Sequence, residues 1–297
     1  MDCKELLKGA YDLHVHSAPD VLPRKMNDIE MARRIKDSGM AGYAMKSHFF
    51  CTSERAELLN EMFPDCEFIG AITLNSAVGG INPTAVEMAA RSGAKIVWFP
   101  TCDDAAEREH TFKADPSKLP FTARIVIEMK QNGIEAPTVC LLDDKGELKP
   151  EVGQVLSIIA RYDLILATGH ISHEEAYKLV PAAAKAGVKK IIITHVDFPS
   201  TFYSIEDQKM FASYGAIMEH DYTTWSTGKC PWETTLEQIR ALGADKVILG
   251  TDLGQKTNIY PDEGMLAWAE KLTAEGFTEA ELRTMMIDIP RKLLGKE

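Results

Sequence analysis

Two histidines one residue apart raise the first chemical question. In GAYDLHVHSAPD, residues 9–20, His14 and His16 follow a strand-like lead-in of Tyr11, Leu13 and Val15. Side chains alternate across a strand, which places both imidazoles on one face and Leu13 and Val15 on the other. Of the eight histidines, six fall at the C-terminal ends of segments that read as strands: His14, His16, His48, His170, His195 and His220. Such ends cover about a tenth of a chain, so random placement would put roughly one histidine there. Asp252 adds a carboxylate at the end of ILGTD. Neutral imidazoles with a carboxylate are a ligand set for Zn²⁺ or a similar first-row ion, and imidazoles crowded together without an ion are costly.

The strands that must carry these residues are short apolar runs: 11–16, 41–48, 67–74, 94–99, 163–170, 189–195, 215–220 and 245–252. Amphipathic stretches lie between them, several closed by glycine, as in MARRIKDSGMAG and LEQIRALGADK. Glycine just past a helix end takes the left-handed C-cap conformation and turns the chain into the next strand. Eight such units predict an α/β fold, a (β/α)8 TIM-type barrel, in which all strand C-termini converge on the face where such barrels build active sites. A doubly wound sheet is the alternative, but no Gly-rich phosphate loop follows the first strand. Between strands four and five, residues 101–162 hold more than one helix. PSKLPFTARIVIEMKQNGI reads as a helix, Asp-Lys-Gly as a hairpin turn, and Pro150 as the start of another helix. With no Gly/Ser/Pro linker on either side, this is expected as an insertion in one barrel domain over 1–297.

Composition narrows the partners. A formal charge of -11 with no basic cluster argues against nucleic acid or an anionic membrane and for a small molecule. No apolar run reaches the roughly 20 residues that span a bilayer, and MDCKELLKGA lacks the apolar core of a signal peptide, so a cytoplasmic protein is expected. The six cysteines form no C-x-x-C pair, which suggests reduced thiols. Homo-oligomerisation is left open.

A strand-one H-x-H, single histidines ending strands five and six and an aspartate ending strand eight resemble the metal-dependent amidohydrolase superfamily. MMIDIPRKLLG (285–295) is similar to the closing helix of those enzymes, with Ile289 and Arg291 in place of the usual Asn and Ala. GHISHEEAYKLVPAAAKAGVKKIIITH is similar to the strand-five-to-six unit of the amino-sugar deacetylases. The resemblance implies one or two divalent ions, zinc first, held by His14, His16, His170, His195 and Asp252. It also implies hydrolysis of an amide, lactone or ester by metal-activated water, with Asp252 as the proton-transferring base and His195 at a second ion or the oxyanion. The family's bridging lysine or glutamate at the end of strand four is missing, since VWFPTCDD offers neither. Cys102, Asp103, Lys46 and His48 are the candidates for that bridge. Lys46 equally suits a substrate carboxylate or phosphate, or a salt bridge at the rim. His220 is expected to touch substrate, and Asp197 and Asp221 to orient neighbouring histidines. DLHVHS…GYAMKSH also resembles the polymerase-and-histidinol-phosphatase phosphoesterases, but Asp252 is followed by Leu253 and Gly254 rather than that family's Asp-x-His. A single-metal decarboxylase or other lyase on the same barrel is a further alternative.

Overall fold

The computed structural model describes residues 2–113, 115, 117 and 119–296. Its parallel strands follow chain order: β1 (Tyr11–Val15), β2 (Gly42–Met45), β3 (Glu67–Ile69 and Ala71–Thr73), β4 (Ile96–Trp98), β5 (Ile165–Ala167), β6 (Ile191–Ile193), β7 (Ile217–Asp221) and β8 (Val247–Gly250). Strand β3 is interrupted at Gly70, so its first half pairs with β2 and its second with β4. A Cβ at Gly70 would lie 2.4 Å from the Ser53 Cα, so a side chain there would drive off the packed helix. The ring closes between the last strand and the first. Asp252 N donates to His14 O and His16 N to Leu253 O, both at 2.8 Å. The expected eight-stranded barrel is therefore what the chain forms.

Helices alternate with the strands. Between β1 and β2 lies α1 (Asp28–Ser38), opened by a reciprocal Asn27–Glu30 capping box and closed by Gly39 at φ 76°. Its Met31, Ala32 and Ile35 recur at helical spacing and are buried against the barrel. Both faces of the strands are buried. Outward residues such as Val97, Leu166, Ile193 and Leu249 pack with the helices. Inward residues, among them Leu13, Ile69, Ile96, Trp98, Ile165, Ile192 and Ile248, form a second cluster plugged by Ile289 and Leu293 of the chain's closing helical turn.

One expectation about β1 is corrected. Leu13 belongs to the barrel interior and Val15 to the outer layer, so they do not share a face. The register of β1 against β2 shifts between Asp12 and Val15. Such a bulge lets the neighbours Leu13 and His14 both turn inward, and the His14 ring stands 5.5 Å from that of Trp98.

In the insertion, α2 (Ala105–Lys113) and α3 (Phe121–Gln131) cover the barrel mouth, and α4 (Pro150–Arg161) leads back to β5. Asp104 Oδ1 starts α2 by accepting from the amides of Ala106 and Glu107. The hairpin turn reduces to one antiparallel bridge, Leu142 opposite Leu148. Among the described residues, no helix is long and apolar enough to cross a membrane.

Candidate metal centre

Four strands deliver the central residues. His14 and His16 come from β1, His170 from just past β5, His195 from past β6 and Asp252 from past β8. Asp252 Oδ1 lies 3.1 Å from His16 Nε2 and 3.5 Å from His14 Nε2. Ring centroids of His14 and His195 are 4.8 Å apart, and those of His170 and His195 5.1 Å. His195 and Asp252 have φ of 52° and 50°, a left-handed conformation found at one other non-glycine among the described residues, Asp163. Strain of this kind costs about 1–3 kcal/mol per residue and persists where the surroundings demand a particular side-chain direction.

Behind these side chains stands a row of acceptors. His14 Nδ1 lies 3.2 Å from Glu219 Oε2, and His195 Nδ1 2.7 Å from Asp221 Oδ2. His16 Nδ1 is 2.9 Å from the Lys46 carbonyl, and His170 Nδ1 is 3.6 Å from Glu107 Oε1. An acceptor at Nδ1 favours the tautomer in which Nε2 keeps its lone pair, the usual way a protein aims imidazole at a metal, although His16 Nδ1 also lies 3.1 Å from the Arg24 guanidinium. Glu219 and Asp221 alternate with Ile217 on the inward face of β7. Gly250 on β8 leaves the room, since a Cβ there would stand 2.4 Å from Asp221 Oδ1.

The polar atoms left over test whether a divalent ion fits. Both ring nitrogens of His170, His195 Nδ1 and both carboxylate oxygens of Asp221 are buried without an aligned hydrogen-bond partner among the described residues. Buried polar atoms are rarely left so, and a cation among them would satisfy several at once. Two sets have ligand atoms within 4.8 Å of one another: His14, His16 and Asp252; and His14, His195, Glu219 and Asp221. The donors are imidazole nitrogen and carboxylate oxygen, which suit zinc and its neighbours. The residues present fit such an ion.

Electrostatics agree. Burial holds His14, His48 and His195 well below the ordinary histidine range, and burial with the Arg24 charge brings His16 to about 3. All four are neutral near pH 7, the state in which imidazole can ligate. Burial raises the carboxyls beneath them, Glu219 to about 8 and Asp12 to about 7, with Asp221 also well up. Asp252 goes the other way: burial would raise it, but the His16 hydrogen bond and the nearby His14 and His195 rings hold it well below the usual range. Lys46, 1% exposed, places Nζ 2.8 Å from His14 Nε2, and burial lowers its pKa against the pull of Asp252, Glu219 and Asp221.

Above lies a cavity of about 480 Å³ whose wall includes His16, Lys46, His48, Cys102, His170, His195 and Asp252. The His48 ring stacks on His16 at 4.9 Å, and its Nδ1 is 2.9 Å from Thr101 Oγ1. Cys102 reaches the cavity with a thiol whose pKa burial pushes up. Two expected residues do not reach it. Asp103 turns aside to an ion pair with Arg108 and to the Ser76 hydroxyl and amide. His220 points outward with Met218, and its Nδ1 lies 3.1 Å from Asp197 Oδ2, which also accepts from Thr235 Oγ1 at 2.6 Å. It is a buried core histidine rather than a substrate contact, because β7 turns its other face to the interior. That inward face carries Glu219, which sequence reading missed, although two carboxylates at alternate positions of one strand are a signal for it. Glu107, from the insertion, was also missed.

The strand order, the closing of the ring and the rim of histidines define a (β/α)8 barrel with a histidine-rich C-terminal face. The chain belongs to DUF6282, a family of unknown function whose model matches residues 9–219. No curated protein sequence matches it. Among solved structures, an amidohydrolase from Pseudomonas aeruginosa aligns with a TM-score of 0.63 at 12% identity, covering 99% of this chain and 98% of that one. The probable dipeptidase PvdM from Pseudomonas aeruginosa gives 0.64 at 10% identity, covering 99% and 97%. A double mutant of an organophosphorus hydrolase from Deinococcus radiodurans gives 0.56 at 13% identity, covering 98% and 93%. At these identities the likeness is one of fold.

Proposed function

We propose that this protein is a metal-dependent hydrolase that cleaves a C–N or C–O bond, in an amide, lactone or ester, of a small molecule. The observation that carries the reading is the convergence of His14 and His16 Nε2 on Asp252, with Nδ1 acceptors behind the histidines. His14, His16, His170, His195 and Asp252 would hold the ion, most simply zinc. When bound, the ion supplies Lewis acidity and lowers the pKa of water toward neutrality. The chain's residues do the rest. Asp252 turns Oδ1 to the imidazoles, while its Oδ2 accepts a 3.0 Å hydrogen bond from Thr223 Oγ1. Held so, the carboxylate can take a proton from the attacking water and hand it to the leaving group. His195, whose ring lies 4.8 Å from that of His14, would either ligate an ion or, if free of it, steady negative charge on the substrate oxygen. Phe198 lies beside both rings, 5.9 Å from that of His170 and 5.2 Å from that of His195. The structures with which the fold is shared, among them an amidohydrolase and a probable dipeptidase, support this class of chemistry. The test is Asp252→Asn, which keeps an oxygen ligand and removes the base. Turnover of a substrate found by screening amides, lactones and esters should fall about 10²–10⁴-fold while most bound metal remains. Full metal with near wild-type turnover would contradict the assignment.

A further inference from the structure

The lining of the cavity also speaks to what enters it, given the hydrolase reading on which this inference rests. Its walls outside the metal centre are largely apolar. Phe112 and Phe121, from the insertion, are 40% and 49% exposed yet line the cavity, and Phe198 faces them from the loop after β6. Large aromatics kept in contact with solvent at a cavity wall suit an apolar or aromatic body.

Four side-chain cations line the same space: Arg24, Lys46, Arg108 and Lys229. Two already have carboxylates. Arg24 is paired with Asp20 and Arg108 with Asp103, while Lys46 is buried in the metal centre with its Nζ 2.8 Å from His14 Nε2. The cavity's own acids are also engaged, Asp252 with His16 and Glu107 beside His170. Lys229 is different: it is exposed, stands outside the metal centre, and has no carboxylate at salt-bridge distance among the described residues. Its position is nonetheless built. The Lys229 amide donates to Thr224 O at 2.9 Å, and its Nζ lies over the Phe198 ring at 4.5 Å. That ring is 5.2 Å from the His195 ring and 5.9 Å from the His170 ring, so the cation stands one aromatic side chain away from the metal centre. In a chain of net charge -11, an exposed cation at the mouth of the cavity, without a carboxylate partner among the described residues, favours an anion.

We infer that the substrate is an amphipathic acid: an apolar, preferably aromatic, body seated among Phe112, Phe121 and Phe198, with a carboxylate paired to Lys229 at the end remote from the bond cleaved. The test compares two probes of nearly equal shape, terephthalamate, with one carboxylate and one amide, and terephthalamide, with two amides. Binding is measured by calorimetry on the zinc-loaded protein and on its Lys229→Gln and Phe198→Ala variants. Terephthalamate should bind about two- to fivefold more tightly than terephthalamide to the wild type, the size expected of one ion pair at an exposed site. Lys229→Gln should bring that ratio close to one, and Phe198→Ala should weaken both probes. Equal binding of the two probes by the wild type would overturn the inference. So would a preference for the acid that survives Lys229→Gln, since the carboxylate would then be held elsewhere, at the ion or Lys46. Release of ammonia from either probe is followed separately. Its absence together with a Lys229-dependent preference would count against the hydrolase reading while leaving the acid-binding site standing.

Discussion

The two halves of the barrel interior are built from opposite chemistry. At the N-terminal end, Leu13, Ile69, Ile96, Ile165, Ile192 and Ile248 pack into a layer closed by Ile289 and Leu293. At the C-terminal end, His14, His16, Lys46, His195, Glu219 and Asp221 are equally buried, within a few per cent of complete exclusion from solvent. Trp98 lies at the boundary, with its ring 5.5 Å from that of His14 and 5.2 Å from Lys46 Nζ. The difference teaches where stability and function reside. Each apolar side chain of the lower layer contributes roughly 1.5–3 kcal/mol by burial. The upper layer carries desolvation costs, two strained backbones and orphaned polar atoms, several of which a bound ion would satisfy. One layer holds the barrel shut, and the other is held ready by it.

Three substitutions separate the layers. The largest effect is expected in the lower one: Ile192→Ala should cost about 2–5 kcal/mol in denaturant unfolding, with metal affinity retained. A matching loss of metal affinity would show that the layers are not separable. In the upper layer, Glu219→Gln keeps the shape and replaces the carboxyl group behind His14 with an amide. Metal affinity, read by competition with a chelator, should fall about 10–100-fold with little change in unfolding free energy. The smallest effect belongs to the insertion. Burial, then Glu175, raises Asp104 to about 8. The folded-state pKa lies above the unfolded one, so its contribution is complete below about pH 4 and is lost as pH rises toward 8. Relative to Asp104→Asn, the wild type should lose on the order of 1 kcal/mol for each pH unit between about 6 and 8. Parallel pH profiles for the two proteins would show that Asp104 does not titrate in this range.

Much of this arrangement could be read from the sequence because strand ends are marked twice, by apolar runs before them and helix starts after them. His14, His16, His170, His195 and Asp252 gather as expected because a barrel brings all such ends to one face. What could not be read is which face of a strand looks inward. In a parallel barrel both faces are buried, so hydrophobicity does not distinguish Met218 and His220 from Glu219 and Asp221. The same ambiguity, with a bulge added, brought Leu13 inward beside His14 and left Val15 on the outer face. Asp103 illustrates another limit. A carboxylate one residue past Cys102 is diverted by Arg108, five residues on, through a loop geometry that spacing alone does not determine. Glu107 enters from an insertion whose fold over the mouth is fixed by tertiary packing.

The central claim is that the buried histidines and Asp252 exist to hold a divalent ion. The most direct test is elemental analysis of the purified protein beside a His14→Ala/His16→Ala double variant, with circular dichroism to establish that both are folded. Near-stoichiometric zinc, or a related divalent ion, is expected in the wild type and little in a folded double variant. Full metal content in that folded variant, or a wild type that binds no divalent ion after dialysis against zinc, would contradict the claim.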